Sequence, residues 1–278
     1  MPEGPRVVVQ AQPVTLSQSP AMMRIWRAVM PEAREQSFKT RTGVDPLTVE
    51  EVLLGELQPS GYMLLARGPF DADLVVREAG ARLAALEVVV DDPVLRREGI
   101  DGAARYAYAV VDSHTVLVAR DAPAPLLADF VARLTGEREV ARALDAPDAA
   151  ALYTERGPQA LAVYAPRPLG LPADTGVGLL LSRERALVAT FHPRLAEVDV
   201  ELEMRGEFPP GAEQNFRALL RSVGGTDLGG ALGLAEIGDA LRIRVDDAGV
   251  LLRFPIRVQA LVRGLRILFT EDLERLLE

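Results

Sequence analysis

The sequence predicts an α+β fold with two pseudo-repeated halves, each an antiparallel-rich sheet with helices packed on one face. Strand-like runs occur in neighbouring pairs joined by short polar turns, and helix-like runs return between these pairs. This pattern is typical of antiparallel hairpins rather than of parallel crossovers. The segment Arg-Gly-Pro-Phe at 67–70 returns as Arg-Gly-Glu-Phe at 205–208, and each copy ends a strand-like run and opens a helix-like one. The 278-residue chain is therefore predicted to be internally duplicated.

The first half is predicted to cover residues 1–136. Its elements, in order, are a strand over 6–15, a helix over 19–30, a hairpin over 51–66, a helix over 71–83, a strand over 86–90, a hairpin over 105–119 and a helix over 123–134. Ser19 and Asp71 each precede a helix-like run, where a hydroxyl or carboxylate accepts a hydrogen bond from a free backbone N–H. The Pro and Gly of residues 58–61 supply the turn of the first hairpin.

A helical connector over residues 137–156 leads to the second half, over 157–278. The connector is rich in alanine, arginine and acidic residues and has no β-branched run. The second half contains predicted strands over 161–164, 177–181, 186–191 and 198–204, a helix over 210–223, a hairpin over 241–254 and a helix from 256 onward. Asp-Asp-Ala-Gly at 246–249 is a strong turn sequence. As in the first half, an apolar helix follows the hairpin.

The composition and charge limit the classes of partner. Hydrophobic residues make up 49% of the chain and aromatic residues 5%, so the core is predicted to be aliphatic. The formal net charge of −9 disfavours a nucleic-acid backbone or an anionic membrane face as partner. Lys39 is the only lysine, and the arginines are scattered rather than grouped into a basic stripe. We therefore predict no nucleic-acid partner.

The chain has no cysteine, which excludes disulfides, thiolate metal sites and thiol nucleophiles. Residues 1–30 lack the basic start and continuous apolar core of a signal peptide. The longest apolar runs are far shorter than the roughly 20 residues that a membrane-spanning helix needs. We therefore predict no transmembrane segment.

Polar groups that can carry chemistry are few, and each is interpreted as structural. The two histidines, His114 and His192, fall in predicted turns without a metal-ligand motif around them. The carboxylate pairs at 91–92 and 246–247 precede Pro or a Gly-containing turn and are interpreted as turn formers. The glycine-rich stretch 222–233 matches neither phosphate-loop spacing, so Gly224 and Gly225 are predicted to end a helix, with Thr226 or Asp227 capping the next. No catalytic residue, cofactor site or metal site is predicted.

One helix face is the best candidate for a partner surface. Its residues recur at helical spacing and are Met22, Met23, Trp26 and Met30. Methionine adapts to varied shapes, and tryptophan anchors protein interfaces. The alternative is that this helix packs on its own sheet, and the sequence leaves both interpretations open.

Several segments resemble uncharacterised predicted lipoproteins or exported proteins of myxobacterial type. The segments that carry the resemblance are 42–46 (TGVDP), 49–52 (VEEV), 64–71 (LLARGPFD), 167–172 (RPLGLP) and 205–208 (RGEF). The resemblance implies a bacterial protein of the periplasm or cell envelope, behind a leader peptide, and implies no activity. The chain departs from this group because it shows neither a leader nor a lipobox cysteine, so a cytoplasmic location is the alternative.

The sequence therefore favours a non-enzymatic protein-interaction or scaffolding module, associated with the cell envelope and bound to a protein partner. The alternative from another class is a carrier that holds an apolar or amphipathic small molecule between a sheet and its helices. A third hypothesis is an enzyme whose scattered acidic residues form an unrecognised site. No cofactor is predicted.

Overall fold

The computed structural model describes residues 7–57, 61–85, 96–122, 124–134, 147–157, 159–166, 181 and 183–266. The chain forms two compact units. The first takes in the residues up to Thr15 and those from Ala33 to Pro147, and the second takes in Leu16–Glu32 and the residues from Asp148 onward.

Helices and strands are interspersed along the chain. The strands are β1 (Val7–Ala11), β2 (Glu51–Leu57), β3 (Gly61–Arg67), β4 (Ala84–Ala85), β5 (Arg96–Asp101), β6 (Ala104–Asp112), β7 (Thr115–Arg120), β8 (Leu161–Ala165), β9 (Glu184–Pro193), β10 (Glu197–Gly206), β11 (Arg242–Asp246) and β12 (Gly249–Arg257). The helices are α1 (Pro13–Leu16), α2 (Pro20–Val29), α3 (Glu32–Thr42), α4 (Ala72–Gly80), α5 (Ala124–Leu134), α6 (Pro147–Arg156), α7 (Ala212–Gly224), α8 (Asp227–Ala231) and α9 (258–266). Two 3₁₀ turns, Leu234–Glu236 and Gly238–Ala240, precede β11.

The sheet of the first unit has the strand order β1-β2-β3-β7-β6-β5-β4, and neighbouring strands are antiparallel. Its central strands are apolar on both faces. Leu117 and Ala119 pack with Leu127 and Val131 of α5. On the opposite face, Val116 packs with residues of α4 and with the loops that precede β2 and α4. A strand with apolar side chains on both faces needs cover on both sides.

The sheet of the second unit has the strand order β11-β12-β10-β9-β8, again antiparallel throughout. Along β10, side chains alternate between two faces. Val200 and Met204 lie on the apolar face, where they pack with Phe216 of α7 and Leu252 of β12. The opposite face carries the charged residues of β10, and there α6 makes ion pairs with the sheet.

The structure confirms a mixed α+β fold with antiparallel sheets, but the prediction of helices on one face only was wrong. In each unit, helices contact both faces of the sheet. The reason lies in the strands. β6 and β7 are apolar on both sides, and the charged face of β10 attracts the terminal arginine of α6. The prediction assumed that helices pack against only one face of each strand.

Helix α2 is part of the second unit, although it precedes the first unit's strands β2 to β7 in the chain. Ala21 is fully buried against Val198 and Val258, and Ile25 packs on the same cluster. The prediction divided the chain at one point into 1–136 and 157–278. In the structure, the apolar contacts of α2 place residues from the start of the chain in the second unit. Residues 137–146 of the predicted connector and the predicted strand at 86–90 lie outside the described residues, and 147–156 of the connector form α6.

The local signals behave as the sequence predicts. The side chain of Ser19 accepts a hydrogen bond from the N–H of Met22, and that of Asp71 accepts one from the N–H of Leu74 at 3.0 Å. The hydroxyl oxygen of Thr226 accepts a hydrogen bond from the N–H of Gly229 at 3.0 Å, so Thr226 caps α8 as predicted. Strand β12 continues to Arg257, however, so the last helix begins two residues later than predicted.

Candidate functional site

Helix α2 is bounded by defined signals at both ends. Ser19 caps its first turn with a 3.4 Å hydrogen bond to the N–H of Met22, and Pro20 occupies the first helical position, where a missing N–H has no cost. At the other end, the N–H of Met30 donates to the carbonyl of Trp26 at 2.6 Å. Pro31 follows and prevents a continuation. The orientation of the α2 side chains is therefore well defined.

The structure divides the four candidate residues of α2 between two surfaces. Met22 packs beside Ala21 and Ile25 against the apolar cluster of the second unit, and it is itself half-buried. Met23, Trp26 and Met30 are spaced at i, i+3 and i+7, which places them along a neighbouring side of the helix. All three are half-buried. We call these three residues the α2 strip.

The electrostatic surroundings of the α2 strip differ from those of the whole chain. Residues 16–31 contain Arg24, Arg27 and no acidic residue, so their net charge is +2, whereas that of the chain is −9. Arg24 is exposed and Arg27 is half-buried. The α2 strip is therefore an apolar surface with a basic border.

Trp26 is the only tryptophan, so its fluorescence reports on the α2 strip alone. Because the side chain is half-buried, we expect acrylamide to quench its emission with a Stern–Volmer constant between that of the unfolded chain and that of a fully buried indole. Steady-state quenching of the native monomer, with the chain unfolded in guanidinium as reference, measures this. An unquenchable, blue-shifted emission would mean that the indole is sealed inside the protein, and the α2 strip would then offer no surface.

A network of charged side chains lies on the polar face of the second unit. Arg156, the last residue of α6, forms ion pairs with Glu201 and Glu203, and its Nε donates to Glu203 Oε2 at 3.1 Å. Glu201 also accepts from Nε of Arg253 at 2.6 Å, and Glu203 pairs with Arg205 at 2.9 Å. Glu201 and Glu203 each have two arginine partners, so their charges are compensated, and Arg205 also pairs with Glu155 of α6.

Burial and ion pairing act in opposite directions on the pKa of Glu201. Desolvation by burial raises this pKa, but the hydrogen bonds from Arg253 and Arg156 outweigh it and hold the pKa below its usual value. Burial lowers the pKa of Arg156, but its hydrogen bonds to Glu203 and Glu201 outweigh this effect and raise the pKa above its usual value. Glu201 and Arg156 therefore stay ionised at neutral pH, and their ion pair attaches α6 to β10.

The turn between β6 and β7 contains Asp112 and His114, one of the two histidines that the sequence places in turns. The N–H of His114 donates to Asp112 Oδ1 at 2.8 Å, and His114 Nδ1 lies 3.3 Å from the carbonyl oxygen of Phe70. The backbone carbonyl of His114 accepts a hydrogen bond from the N–H of Gly68 at 3.0 Å. These bonds attach the turn to the Arg-Gly-Pro-Phe segment, which is the structural role that the sequence favoured.

The turn makes part of the stability of the first unit dependent on pH. The backbone N–H of His114 lowers the pKa of Asp112 below its usual 3.8. A carboxyl with a depressed pKa stabilises the fold above its unfolded-state pKa, and this contribution disappears as the pH falls through the folded-state value. We expect wild type to unfold at higher urea than Asp112→Asn at pH 6, and this difference to shrink at about pH 2 to 3.

Asparagine keeps an oxygen that can accept the N–H of His114, so this variant isolates the charge. Urea unfolding of both proteins at the two pH values, followed by circular dichroism, makes the comparison. A difference between the two midpoints that is the same at both pH values would show that the charge of Asp112 does not act through this bond.

The other candidate residues are placed apart from one another. His192 lies within β9 rather than in the predicted turn, and its Nε2 is 3.2 Å from the hydroxyl of Thr190. The side chain of Asp246 accepts the N–H of Ala248 at 3.0 Å, as expected of a turn former. In the described ranges, no three His, Cys, Asp or Glu side chains are grouped to hold a metal ion. Residues 91–92 lie outside the described residues.

A small cavity of about 10 Å³ lies in the first unit beneath α5. Its lining includes Glu98, Arg105, Tyr106 and Leu127. A cavity of this size has room for about one water molecule. It is too small for the apolar ligand that the carrier hypothesis needs.

None of the helices in the described part of the chain is both long and apolar enough to span a bilayer. No protein-family model matches the chain. No curated protein matches it either.

Solved structures of TP0453 are similar to the chain. Crystal form III of TP0453 has a TM-score of 0.49 at 12% sequence identity, and the match covers 96% of each chain. Crystal form I has a TM-score of 0.48 at 13% identity, with 96% of this chain and 95% of that chain covered. Crystal form IV gives 0.48 at 11% identity, covering 96% and 94%.

Proposed function

We propose that this chain is a non-enzymatic protein-interaction module that binds a protein partner through the α2 strip. The observation that carries the proposal is the division of α2 into two sides. Met22, Ala21 and Ile25 pack on the apolar cluster of the second unit, while Met23, Trp26 and Met30 lie half-buried on the neighbouring side of the helix. A helix that is already immobilised loses little further conformational entropy when a partner binds it.

The chemistry of the α2 strip indicates what kind of partner surface it fits. Two methionines beside a tryptophan offer an adaptable apolar contact around a rigid anchor, the composition typical of interface hot spots. The border carries Arg24 and Arg27. A complementary partner presents an apolar groove with acidic residues at its rim.

Photo-crosslinking in the protein's own cells tests this assignment. p-Benzoylphenylalanine replaces Met23 in one variant and Leu195 in a control; Leu195 is 74% exposed in the turn between β9 and β10 of the same unit. We expect position 23 to crosslink one defined protein that mass spectrometry identifies, and Leu195 to give no such product. Crosslinking of the same protein at both positions, or none at position 23, would remove the α2 strip as the binding surface.

A second requirement is that binding responds to the α2 strip without unfolding the chain. In Met23→Lys, a charge enters the apolar strip beside Trp26, and we expect at least a tenfold loss of affinity for the crosslinked partner, on the order of 1.4 kcal/mol. Leu195→Lys is the matched control and should bind normally. Equal melting temperatures of the two variants establish that the fold is intact.

We also propose that the protein belongs with the uncharacterised exported proteins of myxobacterial type and acts at the cell envelope. Support comes from the resemblance of residues 64–71 and 205–208 to that group. Fractionation of cells that carry a tagged chromosomal copy decides the location. Recovery of the protein in the cytosolic fraction, with a periplasmic marker retained elsewhere, would contradict the proposal.

We propose further that the two units descend from one duplicated half. The strand orders β1-β2-β3-β7-β6 and β8-β9-β10-β12-β11 support this, because the third strand of each series pairs with the second strand of a later hairpin. In both units a helix follows that third strand. The Arg-Gly-x-Phe segments lie at the same point, with Gly68 and Gly206 both buried at the strand end.

A crystal structure of the chain tests the duplication. We expect β1, β2, β3, β7 and β6 to superpose on β8, β9, β10, β12 and β11 with Gly68 over Gly206. A best superposition that shifts the two glycines out of register by two or more residues would contradict a common origin.

A further inference from the structure

Strand β11 lies at the end of the sheet order of the second unit and pairs with β12 alone among the described residues. The register places Asp246 opposite Gly249, Arg244 opposite Leu251 and Arg242 opposite Arg253. The two residues Asp247 and Ala248 between the strands make this a two-residue hairpin. One long side of β11 therefore lacks a neighbouring strand within the described ranges.

The hairpin register decides which backbone groups face that open side. The pair that closes a two-residue turn exchanges both of its backbone hydrogen bonds, and the pattern then alternates along the strand. Asp246, Arg244 and Arg242 therefore bond to β12. Ile243 and Val245 direct their N–H and C=O groups away from β12, and no described residue bonds to them.

The side chains of β11 give this edge a chemical preference. Arg242 and Arg244 lie on the polar face, beside Arg253 of β12. The side chain of Arg244 is 72% exposed, and it pairs with Asp246 at 3.3 Å. On the other face Ile243 packs against the apolar core, and Val245 is 37% exposed. An incoming strand would meet Arg242, Arg244 and Asp246 on one face, with a net charge of +1, and apolar surface on the other.

We propose that β11 receives an extended segment of a partner protein, in which acidic and apolar residues alternate, as an added strand of the sheet. Main-chain bonds to Ile243 and Val245 supply the binding energy, and Arg242 and Arg244 select acidic side chains. This surface is separate from the α2 strip and does not depend on it.

Binding of a synthetic peptide tests the proposal with the full chain. The probe is a fluorescein-labelled nonapeptide of alternating glutamate and valine, and its counterpart has lysine at each glutamate position. We expect saturable binding of the glutamate peptide by fluorescence anisotropy, and at least tenfold weaker binding of the lysine peptide. Absence of binding by the glutamate peptide, or equal affinity for both, would overturn the proposal.

Two further comparisons separate strand addition from simple charge attraction. A glutamate peptide with N-methylated backbone amides keeps its charge but loses its donors, and we expect at least tenfold weaker binding to the unmodified protein. The double variant Arg242→Glu and Arg244→Glu should prefer the lysine peptide. Unchanged binding of the N-methylated peptide, or an unchanged preference of the double variant, would contradict the proposal, while the crosslinking result at Met23 would stand independently.

Discussion

Gly249→Ala is expected to lose roughly 3 kcal/mol or more of unfolding free energy. Gly249 opens β12 with φ of +152°, opposite Arg205 of β10. A Cβ at this position would overlap the carbonyl oxygen of Met204 and lie 3.0 Å from its carbonyl carbon and 3.2 Å from the Cα of Arg205. These are backbone atoms of the neighbouring strand, so β10 and β12 would have to separate.

The matched control is Gly211→Ala. Gly211 also has a positive φ, +86°, but a Cβ there meets no atom within 4 Å. Its substitution therefore measures the cost of the backbone conformation alone, about 1 kcal/mol. Urea unfolding of both variants separates the two effects. A loss at Gly249 no larger than that at Gly211 would show that the strands accommodate the methyl group, contrary to the close packing of β10 and β12.

Arg156→Met is expected to destabilise the protein by about 2 to 3 kcal/mol. The side chain of Arg156 is 21% exposed, and those of Glu201 and Glu203 are 12% and 17% exposed. Removal of one partner from a largely buried ion pair leaves uncompensated charge, which costs about 3 to 5 kcal/mol when no other partner remains. Here Arg253 and Arg205 remain beside the two carboxylates, which reduces the expected loss.

Arg253→Met is the matched control because it removes an arginine from the same carboxylate, Glu201. The side chain of Arg253 is 60% exposed, so solvent already screens its charge. We expect a loss below about 1 kcal/mol. Urea unfolding in low and high salt measures both variants. Equal losses, or an Arg156→Met protein as stable as wild type, would mean that the network does not hold α6 to β10.

Much of the local structure could be predicted because its causes lie within a few residues. The caps at Ser19 and Asp71 need only a side-chain oxygen and an N–H three residues later, and the structure confirms both. The turn at Asp246 depends on that carboxylate and the next two residues. The hairpins predicted over 105–119 and 241–254 also form antiparallel strand pairs as expected.

The charged network was missed, although half of its signal is visible in the sequence. The alternation of Asp199, Glu201 and Glu203 with apolar residues in β10 marks a charged face. Nothing near these residues identifies Arg156, because it precedes Glu201 by 45 residues. Which arginine pairs with Glu201 and Glu203 depends on where α6 packs in the folded chain.

The sequence by itself determined the fold class, the caps, the turns and the aliphatic character of the core, since each follows from residue types at short spacing. Only the tertiary structure decided that helices cover both faces of each sheet, that α2 packs in the second unit and that Met22 is separated from Met23. It also decided that β11 pairs with β12 alone among the residues that the structure describes. These features depend on contacts between apolar and charged residues that are far apart in the sequence. Local periodicity does not specify those contacts.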